Sequence, residues 1–350
     1  MNNEFHYYIT YLIAARAGLS PGEAFAVAYS SQYVDDNDIV FEIRNPKGEN
    51  YTNYVSQTLN ILKPKMELFR IYPLFHFIPG EPKAVSGRRK DGKLHYLNTT
   101  PDSPNARAIL SKALDSRNLY RIGIAIHGFA DTWAHQNFTG YYDAFNAMKG
   151  TLTKAAPRIG HAGAGHRPDR VDHFWRDQRL LDSQVSIDNT IRFMKAAERI
   201  FEELWKRWQP SQSQHQLETE MERVIDDLLH AIAAGGNKVN RIRLYKAMAL
   251  KEAYGNAPLP PYDADHWMDE AVQEDVRGFR VRSQMAFFRL IKSKVTSVMT
   301  PLQDVYTWKD ENLYQKTRWY RFQEAVKEHQ KIAGEILYAS TFHKMDLKNW

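Results

Sequence analysis

The 350-residue sequence contains no cysteine. Disulfide bonds, cysteine-ligated zinc, iron–sulfur clusters and cysteine nucleophiles are therefore excluded, and any metal site must use nitrogen and oxygen ligands. The sequence also lacks a stretch of the roughly 18 uninterrupted apolar residues that a membrane-spanning helix requires, so we expect no integral membrane span. The first residues, Met1 to His6, have neither the basic nor the apolar region of a secretory leader, which predicts a cytoplasmic protein.

The composition is that of a globular chain with a slight basic excess. Hydrophobic residues make up 43% of the chain, and 47 Lys and Arg residues against 41 Asp and Glu residues give a net charge of +6. The positive charge slightly favours anionic partners such as phosphates, nucleic acid or lipid headgroups. The length fits one large domain or two smaller ones, and nothing in the sequence indicates an oligomeric state.

Most of the chain carries the pattern of buried or amphipathic helices. Ser20, Pro21 and Glu23 form the signature of a capping box before an Ala-rich helix that closes in an acidic turn, and short strands are expected only around residues 39 to 43. The later predicted helices cover residues 104 to 116, 118 to 137, 139 to 148, 184 to 209, 214 to 234, 238 to 254, 266 to 298 and 316 to 337. This pattern predicts an all-α, multi-helix bundle with long irregular loops and extra C-terminal helices.

The most informative segment is His127-Gly-Phe-Ala-Asp131-Thr-Trp-Ala-His135. In a helix, residues four apart advance by only about 40° of rotation, so these three side chains project from one face. Two imidazoles and a carboxylate arranged in this way can ligate zinc or a similar divalent ion. A surface ion pair is the alternative, but the nearly apolar run from Leu119 to Ile126 indicates a buried face, where a carboxylate needs a counter-charge.

Other potential ligands lie on both sides of this motif, in apolar helices, an acidic turn and a glycine-rich loop. They are His6, His76, either Asp35 or Asp36, and, in the loop, His161, His166 and Asp169. Each of them alone is a weak signal: His6 taken alone is more often a packed core histidine, and the acidic residues could form an exposed turn. Together with the helix motif they supply enough nitrogen and oxygen ligands for two or three ions.

The order of these residues resembles that of the zinc-dependent phospholipase C and single-strand-specific zinc nuclease superfamily, over about residues 6 to 170. Ser31-Gln-Tyr-Val-Asp35 is similar to a Ser-x-aromatic-x-Asp segment of the superfamily. Asp131-Thr-Trp-Ala-His135-Gln-Asn-Phe138 is similar to its Asp-x-x-Ala-His-Ser-Asn-aromatic segment. The resemblance implies a mainly helical fold with three zinc ions in a cleft, and it favours Asp35 over Asp36.

The resemblance also implies a division of the ligands among the ions. Asp35, His76, His127 and a bridging Asp131 would hold one ion of a pair, His135 and His161 with His166 or Asp169 would hold the other, and His6 would contribute to a third site beside Asp131. Two features depart from the superfamily. Its secreted members use the amine and carbonyl of an N-terminal tryptophan, whereas five residues precede His6 here, and its last ligand is the Glu of a His-x-x-x-Glu pair, where this sequence has Ala164-Gly165.

The implied activity is hydrolysis of a phosphodiester, in a phospholipid or a nucleic acid, with zinc or another divalent metal activating the water. We assign catalytic roles to Asp35, which could orient or deprotonate that water, and to Asp131. The alternative function is a non-catalytic helical protein with a structural or vestigial metal cluster and an interaction role. Because metal-capable residues end near residue 173, we predict a metal-binding helical core over 1–180 and a region over 181–350 that completes the core or binds partners, unless the chain forms one domain.

Overall fold

The computed structural model describes residues 1–58, 65–148, 156–275 and 304–345, and these ranges are mostly helical. A π-helical segment, Glu4–Ile9, runs directly into helix α1, Thr10–Arg16. The other α-helices of the described ranges are α2 (Pro21–Asp36), α3 (Lys65–Phe75), α4 (Pro104–Ser116), α5 (Leu119–Ala134), α6 (Asn189–Trp208), α7 (Gln214–Gly235), α8 (Lys238–Ala249), α9 (His266–Ala271) and α10 (Arg318–Ser340).

Helix α5 lies at the centre, and α2, α4, α6 and α10 pack around it. Its contact with α2 is close because Gly123 has no side chain. A Cβ atom at Gly123 would lie only 2.3 Å from the carbonyl oxygen of Val27. As a result, the C-terminal half of α2 lies directly against the face of α5 that carries His127, whose Nδ1 is 2.7 Å from the carbonyl oxygen of Ser31.

Local sequence explains where these helices begin. The Ser20 hydroxyl accepts a hydrogen bond from the Glu23 backbone, and the Glu23 carboxylate accepts one from the Ser20 backbone at 2.9 Å, which confirms the predicted capping box. The Asn118 side chain caps α5 by accepting from the first backbone N–H groups of the helix. Helix α5 ends at Ala134, before Asn137, whose φ of +68° is incompatible with a continuing helix.

The predicted helix over residues 139 to 148 is wrong. Only a 3₁₀ turn, Ala144–Asn146, forms there. The Asn146 side-chain amide donates to the carbonyl oxygens of Thr139, at 3.2 Å, and Tyr141, at 2.8 Å, and these bonds stabilise an irregular loop instead. Asparagine competes for backbone hydrogen bonds in this way, which is why it disfavours helix interiors.

The prediction of an all-α chain is correct for the dominant helices and wrong for two small sheets. The first has the order β2-β1-β6-β5, built from β1 (Glu42–Arg44), β2 (Tyr51–Thr52), β5 (Val272–Asp275) and β6 (Val305–Trp308), with only β1 and β6 parallel. The second pairs β3 (Phe174–Arg176) with β4 (Ser186–Asp188). The helix predicted over 266 to 298 ends at Ala271 because the next residues pair with β6, and its part from 276 onward lies outside the described residues.

The hydrophobic core draws on both halves of the chain. Its larger cluster includes residues from Met1 to Phe342, so side chains from the ranges 1–180 and 181–350 pack together. The predicted boundary near residue 180 stays a prediction. Within the described ranges, no helix combines the length and apolar character needed to cross a membrane.

Candidate metal centre

Helix α5 presents the ligand motif on one face. His127 Nε2 lies 3.2 Å from Asp131 Oδ2, one helical turn away. His135 follows the last helical residue, and its backbone N–H still donates to the Asp131 carbonyl at 2.8 Å, which keeps its side chain near that face. His127 is completely buried and Asp131 is only 1% exposed, so the motif faces the interior as its apolar flank predicts.

The first group consists of Asp35, His76, His127 and Asp131. His127 Nε2 lies 3.0 Å from His76 Nδ1 and 3.7 Å from Asp35 Oδ1. His76 Nδ1 lies 3.7 Å from Asp35 Oδ1 and 3.6 Å from Asp131 Oδ2. Tetrahedral zinc with bonds of about 2.0–2.1 Å separates its ligand atoms by roughly 3.3–3.4 Å. The nitrogens of His76 and His127 and the oxygen of Asp35 therefore lie close enough together to share one zinc ion, and Asp131 Oδ2 is within 3.6 Å of both nitrogens.

The second group consists of His135, His161 and Asp169. Asp169 Oδ1 lies 3.3 Å from His135 Nε2, and Asp169 Oδ2 lies 3.6 Å from His161 Nε2. The loop that carries Asp169 is held by the side chain of Asn189, which donates to the carbonyl oxygens of Arg167 at 2.7 Å and Arg170 at 2.8 Å. One amide at the start of α6 thus holds the loop backbone on both sides of Asp169.

The third group consists of His6, Asp131 and the α-amino group of Met1. His6 Nε2 lies 3.2 Å from Asp131 Oδ1, and the Met1 amine donates a hydrogen bond to the same oxygen. The His6 ring stacks on His127 with centroids 3.9 Å apart. Asp131 therefore faces the first group with Oδ2 and the third group with Oδ1.

Backbone carbonyl groups orient four of the imidazoles. Each ring places one nitrogen at hydrogen-bond distance from a carbonyl oxygen and turns its other nitrogen toward the site. The pairs are His127 Nδ1 with Ser31 at 2.7 Å, His135 Nδ1 with His76 at 2.8 Å, His76 Nε2 with Ser56 at 2.9 Å, and His161 Nδ1 with Gly165 at 2.9 Å. Metal-ligating histidines in proteins usually donate their second ring N–H to such an acceptor, which fixes the tautomer.

Burial keeps two of the imidazoles neutral. It lowers the pKa of His6 to about 3, with help from the neighbouring His127 and Met1 amine, and it also lowers the pKa of His135. Both rings are therefore neutral near pH 7 and have a lone pair available for a metal. Burial opposes ionisation of Asp131, but His135 and the Met1 amine outweigh it and hold the pKa of this carboxyl well below its usual range.

The carboxylates attract protons onto two other groups. Burial disfavours a positive charge on His127, but Asp131 and Asp35 outweigh it and raise the pKa of this imidazole. Burial likewise disfavours the charged Met1 amine, but Asp131 and Asp169 raise the pKa of that group. A divalent ion offers the same carboxylates a stronger positive charge and displaces such protons when it binds.

The side chains fit a metal centre chemically. Across the described residues, no lysine or arginine pairs with Asp35, Asp131 or Asp169, whose partners are imidazoles and one amine. Carboxylates buried in this way need a compensating cation. Imidazole nitrogen and carboxylate oxygen are ligands that zinc accepts. Three sets of side chains could each contribute to a metal site, which would allow two or three divalent ions: Asp35, His76 and His127; His6, His127 and Asp131; and His135, His161 and Asp169.

A cavity of about 510 Å³ opens onto all three groups. Its lining includes Asp35, His76, Asp131, His135, His161 and Asp169, together with Tyr72, Phe77 and the acidic residues Asp36 and Asp38. No lysine or arginine appears among its described lining residues. The wall around the candidate ligands is therefore acidic and aromatic.

The sequence model of one protein family, described as a family of unknown function (DUF6765), matches residues 1–337. The chain belongs to the DUF6765 family. The matched range includes every member of the three groups and most of α10. No curated protein and no solved structure matches the chain. The family description assigns no function to this DUF6765 protein.

The structure brings together all of the candidate ligands except His166. His166 is exposed on the cavity wall and belongs to none of the three groups, whereas Asp169 faces His135 and His161. At the acidic turn, Asp35 faces His76. The neighbouring Asp36 instead accepts hydrogen bonds from Gln32 at 3.0 Å and Tyr262 at 2.7 Å. The geometry therefore favours Asp169 over His166 and Asp35 over Asp36 as ligands.

Sequence reasoning missed the amine of Met1 and the carbonyl groups that orient the rings. The His6 N–H donates to the Asn2 carbonyl at 3.1 Å, so helical winding begins ahead of His6 and brings the Met1 amine to the same carboxylate. The sequence signalled only that five residues precede His6. A backbone carbonyl that accepts a hydrogen bond from an imidazole leaves no mark in a sequence, because every residue has such a group.

Proposed function

We propose that this chain is a metal-dependent phosphodiester hydrolase whose site holds two or three divalent ions, with zinc as the preferred metal. We also propose a distant relationship to the zinc-dependent phospholipase C and single-strand-specific zinc nuclease superfamily, supported by the order of the ligand residues. The observation that carries the proposal is the shared carboxylate of Asp131, because such sharing holds ions close enough to act on one phosphoryl group.

When bound, the ions would lower the pKa of a water molecule and offset the negative charge that develops on the phosphoryl oxygens. Asp35 is the member of the first group that the cavity reaches most easily. Its side chain is 28% exposed, whereas His76, His127 and Asp131 are buried. This exposure supports a role for Asp35 in orienting the attacking water and accepting its proton. Asp131 is enclosed and serves to hold ions.

The acidic cavity makes the proposed activity strictly dependent on metal. A phosphodiester is anionic, and no lysine or arginine among the described lining residues offsets its charge. Without ions, Asp35, Asp36 and Asp38 would repel the substrate. Chelation should therefore weaken substrate binding as well as the chemical step.

Metal analysis followed by a hydrolysis assay tests the proposal. The protein is dialysed against a chelator, reloaded with zinc, and assayed on a chromogenic phosphodiester, a short-chain phosphatidylcholine and a single-stranded oligonucleotide. We expect two or three zinc ions per chain and hydrolysis of at least one substrate that chelator abolishes and zinc restores. A matched comparison is Asp35→Asn against Asp182→Asn, which alters an exposed carboxylate outside the cavity.

The assay also separates the alternatives. Loss of hydrolysis in Asp35→Asn with zinc still bound would support the assigned role of Asp35. Full zinc occupancy without hydrolysis of any of the three substrates would contradict the proposal and leave a non-catalytic metal-binding protein. Activity on the oligonucleotide that falls steeply with salt would indicate a nuclease, and activity on the phosphatidylcholine would indicate a phospholipase.

A further inference from the structure

Helix α8 carries a buried arginine that joins two carboxylates from distant parts of the chain. Arg241 Nε and Nη2 donate to the two oxygens of Glu4 at 2.6 and 2.9 Å, and Nη1 donates to Asp172 Oδ2 at 2.6 Å. Tyr245, one turn further along α8, donates to Glu4 Oε1 at 3.0 Å. Glu4 is completely buried, so these bonds are its compensation for leaving water.

The two carboxylates lie next to two of the ligand-bearing segments. Glu4 is two residues before His6, and Asp172 is three residues after Asp169. These segments meet inside the site, where the Met1 amine lies 3.6 Å from Asp169 Oδ1. Through Glu4 and Asp172, Arg241 therefore connects the segment that carries His6 to the loop that carries Asp169.

The surroundings are shaped to admit this arginine. Helix α7 ends at Gly235, where a Cβ atom would lie 2.2 Å from Arg241 Cγ. A buried ion-pair network of this kind adds less stability than well-packed apolar side chains of the same size often would. The network is therefore better explained by the way it positions Glu4 and Asp172 than by a gain in stability. The planar guanidinium holds both oxygens of Glu4 and one oxygen of Asp172 in a fixed, forked geometry, which the point charge of a lysine ammonium does not impose.

We propose that Arg241 is a positioning residue that sets the separation between the Met1–His6 segment and the Asp169 loop, so that the second and third groups bind metal together. The inference rests on the metal binding of the proposed function. It assigns to the second half of the chain a specific part in building the site, through a residue that contacts none of the candidate ligands.

The test compares Arg241→Lys with Arg179→Lys in the full-length protein. Arg179 makes an equally buried, two-pronged pair with Asp177 that involves none of the candidate ligands. Zinc-loaded proteins are titrated with a chelator, and zinc retained per chain is measured together with the thermal unfolding midpoint. We expect Arg241→Lys to release zinc at about 10- to 100-fold lower chelator concentration than the wild type, the usual effect of losing an outer partner. Arg179→Lys should lower the unfolding midpoint but retain zinc.

Equal zinc retention in Arg241→Lys and the wild type would overturn the inference, because the arginine would then be a structural residue only. If Arg241→Lys fails to fold, Asp172→Asn takes its place, since this side chain is 40% exposed and its loss removes only the arm to the loop. Asp172→Asn should also weaken zinc retention, and unchanged retention would overturn the inference. Absence of zinc from the wild type would instead contradict the proposed function itself.

Discussion

Asp131 Oδ1 lies 3.2 Å from His6 Nε2, and the other oxygen of the same carboxylate lies 3.2 Å from His127 Nε2. One side chain from the middle of the chain thus links an N-terminal histidine to the ligand face of α5. Because both oxygens are used, the two neighbouring groups depend on a single carboxylate. This dependence makes Asp131 the most informative position to change.

Replacing Asp131 with asparagine should empty more than one metal position. The amide keeps one oxygen but replaces the other with an NH₂ group, which cannot ligate a metal, and it removes a negative charge from a buried site. We expect zinc content to fall by more than one ion per chain and phosphodiester hydrolysis to fall by at least about 100-fold. Elemental analysis of Asp131→Asn beside Asp182→Asn measures the effect. Loss of a single ion would show that Asp131 does not bridge.

The loop that follows His161 offers a matched pair of positions. Asp169 belongs to the second group, whereas His166, three residues earlier, is exposed and belongs to none. We expect Asp169→Ala to lose one zinc ion per chain and His166→Ala to keep the full zinc content. Zinc analysis after exhaustive dialysis distinguishes the two. A zinc deficit in His166→Ala would mean that the loop rearranges to ligate through the histidine.

Sequence periodicity predicted most of the long helices and the ligand face of α5, although it failed over residues 139 to 148 and beyond Ala271. Helix α5 and its ligand face follow from an apolar run and a four-residue spacing, and the capping box at Ser20 follows from local hydrogen bonding. These features depend on residues close together in the sequence. The proximity of His6 and His76 to this face could be expected only through the family resemblance, because their spacing from Asp131 has no local pattern.

Long-range pairing accounts for what the sequence did not reveal. The residues of β6 alternate β-branched and aromatic side chains, but they form a strand because β1 and β5 lie on either side of them. The link from Arg241 to Glu4 and the amine of Met1 beside Asp131 are also contacts between distant segments. Such contacts are set by tertiary packing, which intrinsic preferences and spacing do not specify.

Two helical glycines should respond in opposite ways to alanine. At Gly123 a Cβ atom would lie 2.5 Å from Ser30 Cβ and 2.3 Å from the Val27 carbonyl oxygen, so Gly123→Ala must push α2 away from α5. We expect a loss of about 1–3 kcal/mol in unfolding free energy. Gly334 on α10 has no atom within 4 Å of the corresponding position, so Gly334→Ala should add about 0.5–1 kcal/mol through helix propensity.

Urea unfolding of the two glycine variants measures both effects. Because α2 carries Asp35 and the Ser31 carbonyl that orients His127, Gly123→Ala should also reduce zinc retention. Gly334→Ala should leave zinc retention at the wild-type level. Stabilisation by Gly123→Ala would show that the α2–α5 contact is looser than the present geometry.

His329 should make the protein less stable as the pH falls below neutrality. It is buried on α10 and belongs to none of the three groups; its Nε2 lies 3.2 Å from the Leu74 carbonyl oxygen, and burial lowers its pKa from 6.5 to about 4. Between these pH values the unfolded chain binds a proton at this imidazole and the folded chain does not. The contribution of neutral His329 to the unfolding free energy is therefore fully present above pH 6.5 and is lost as the pH falls to about 4. The expected loss is about 3 kcal/mol of unfolding free energy.

Replacing His329 with glutamine, which can still donate to the Leu74 carbonyl, should remove this dependence. In metal-free protein, urea unfolding at successive pH values from 7 to 4 should give a slope that is smaller than that of the wild type by up to about 1.4 kcal/mol per pH unit. His230→Gln, on the exposed face of α7, is the matched control and should keep the wild-type slope. If unfolding free energy changes with pH at the same slope in all three proteins, the folded and unfolded chains bind the His329 proton equally well, and the prediction is wrong.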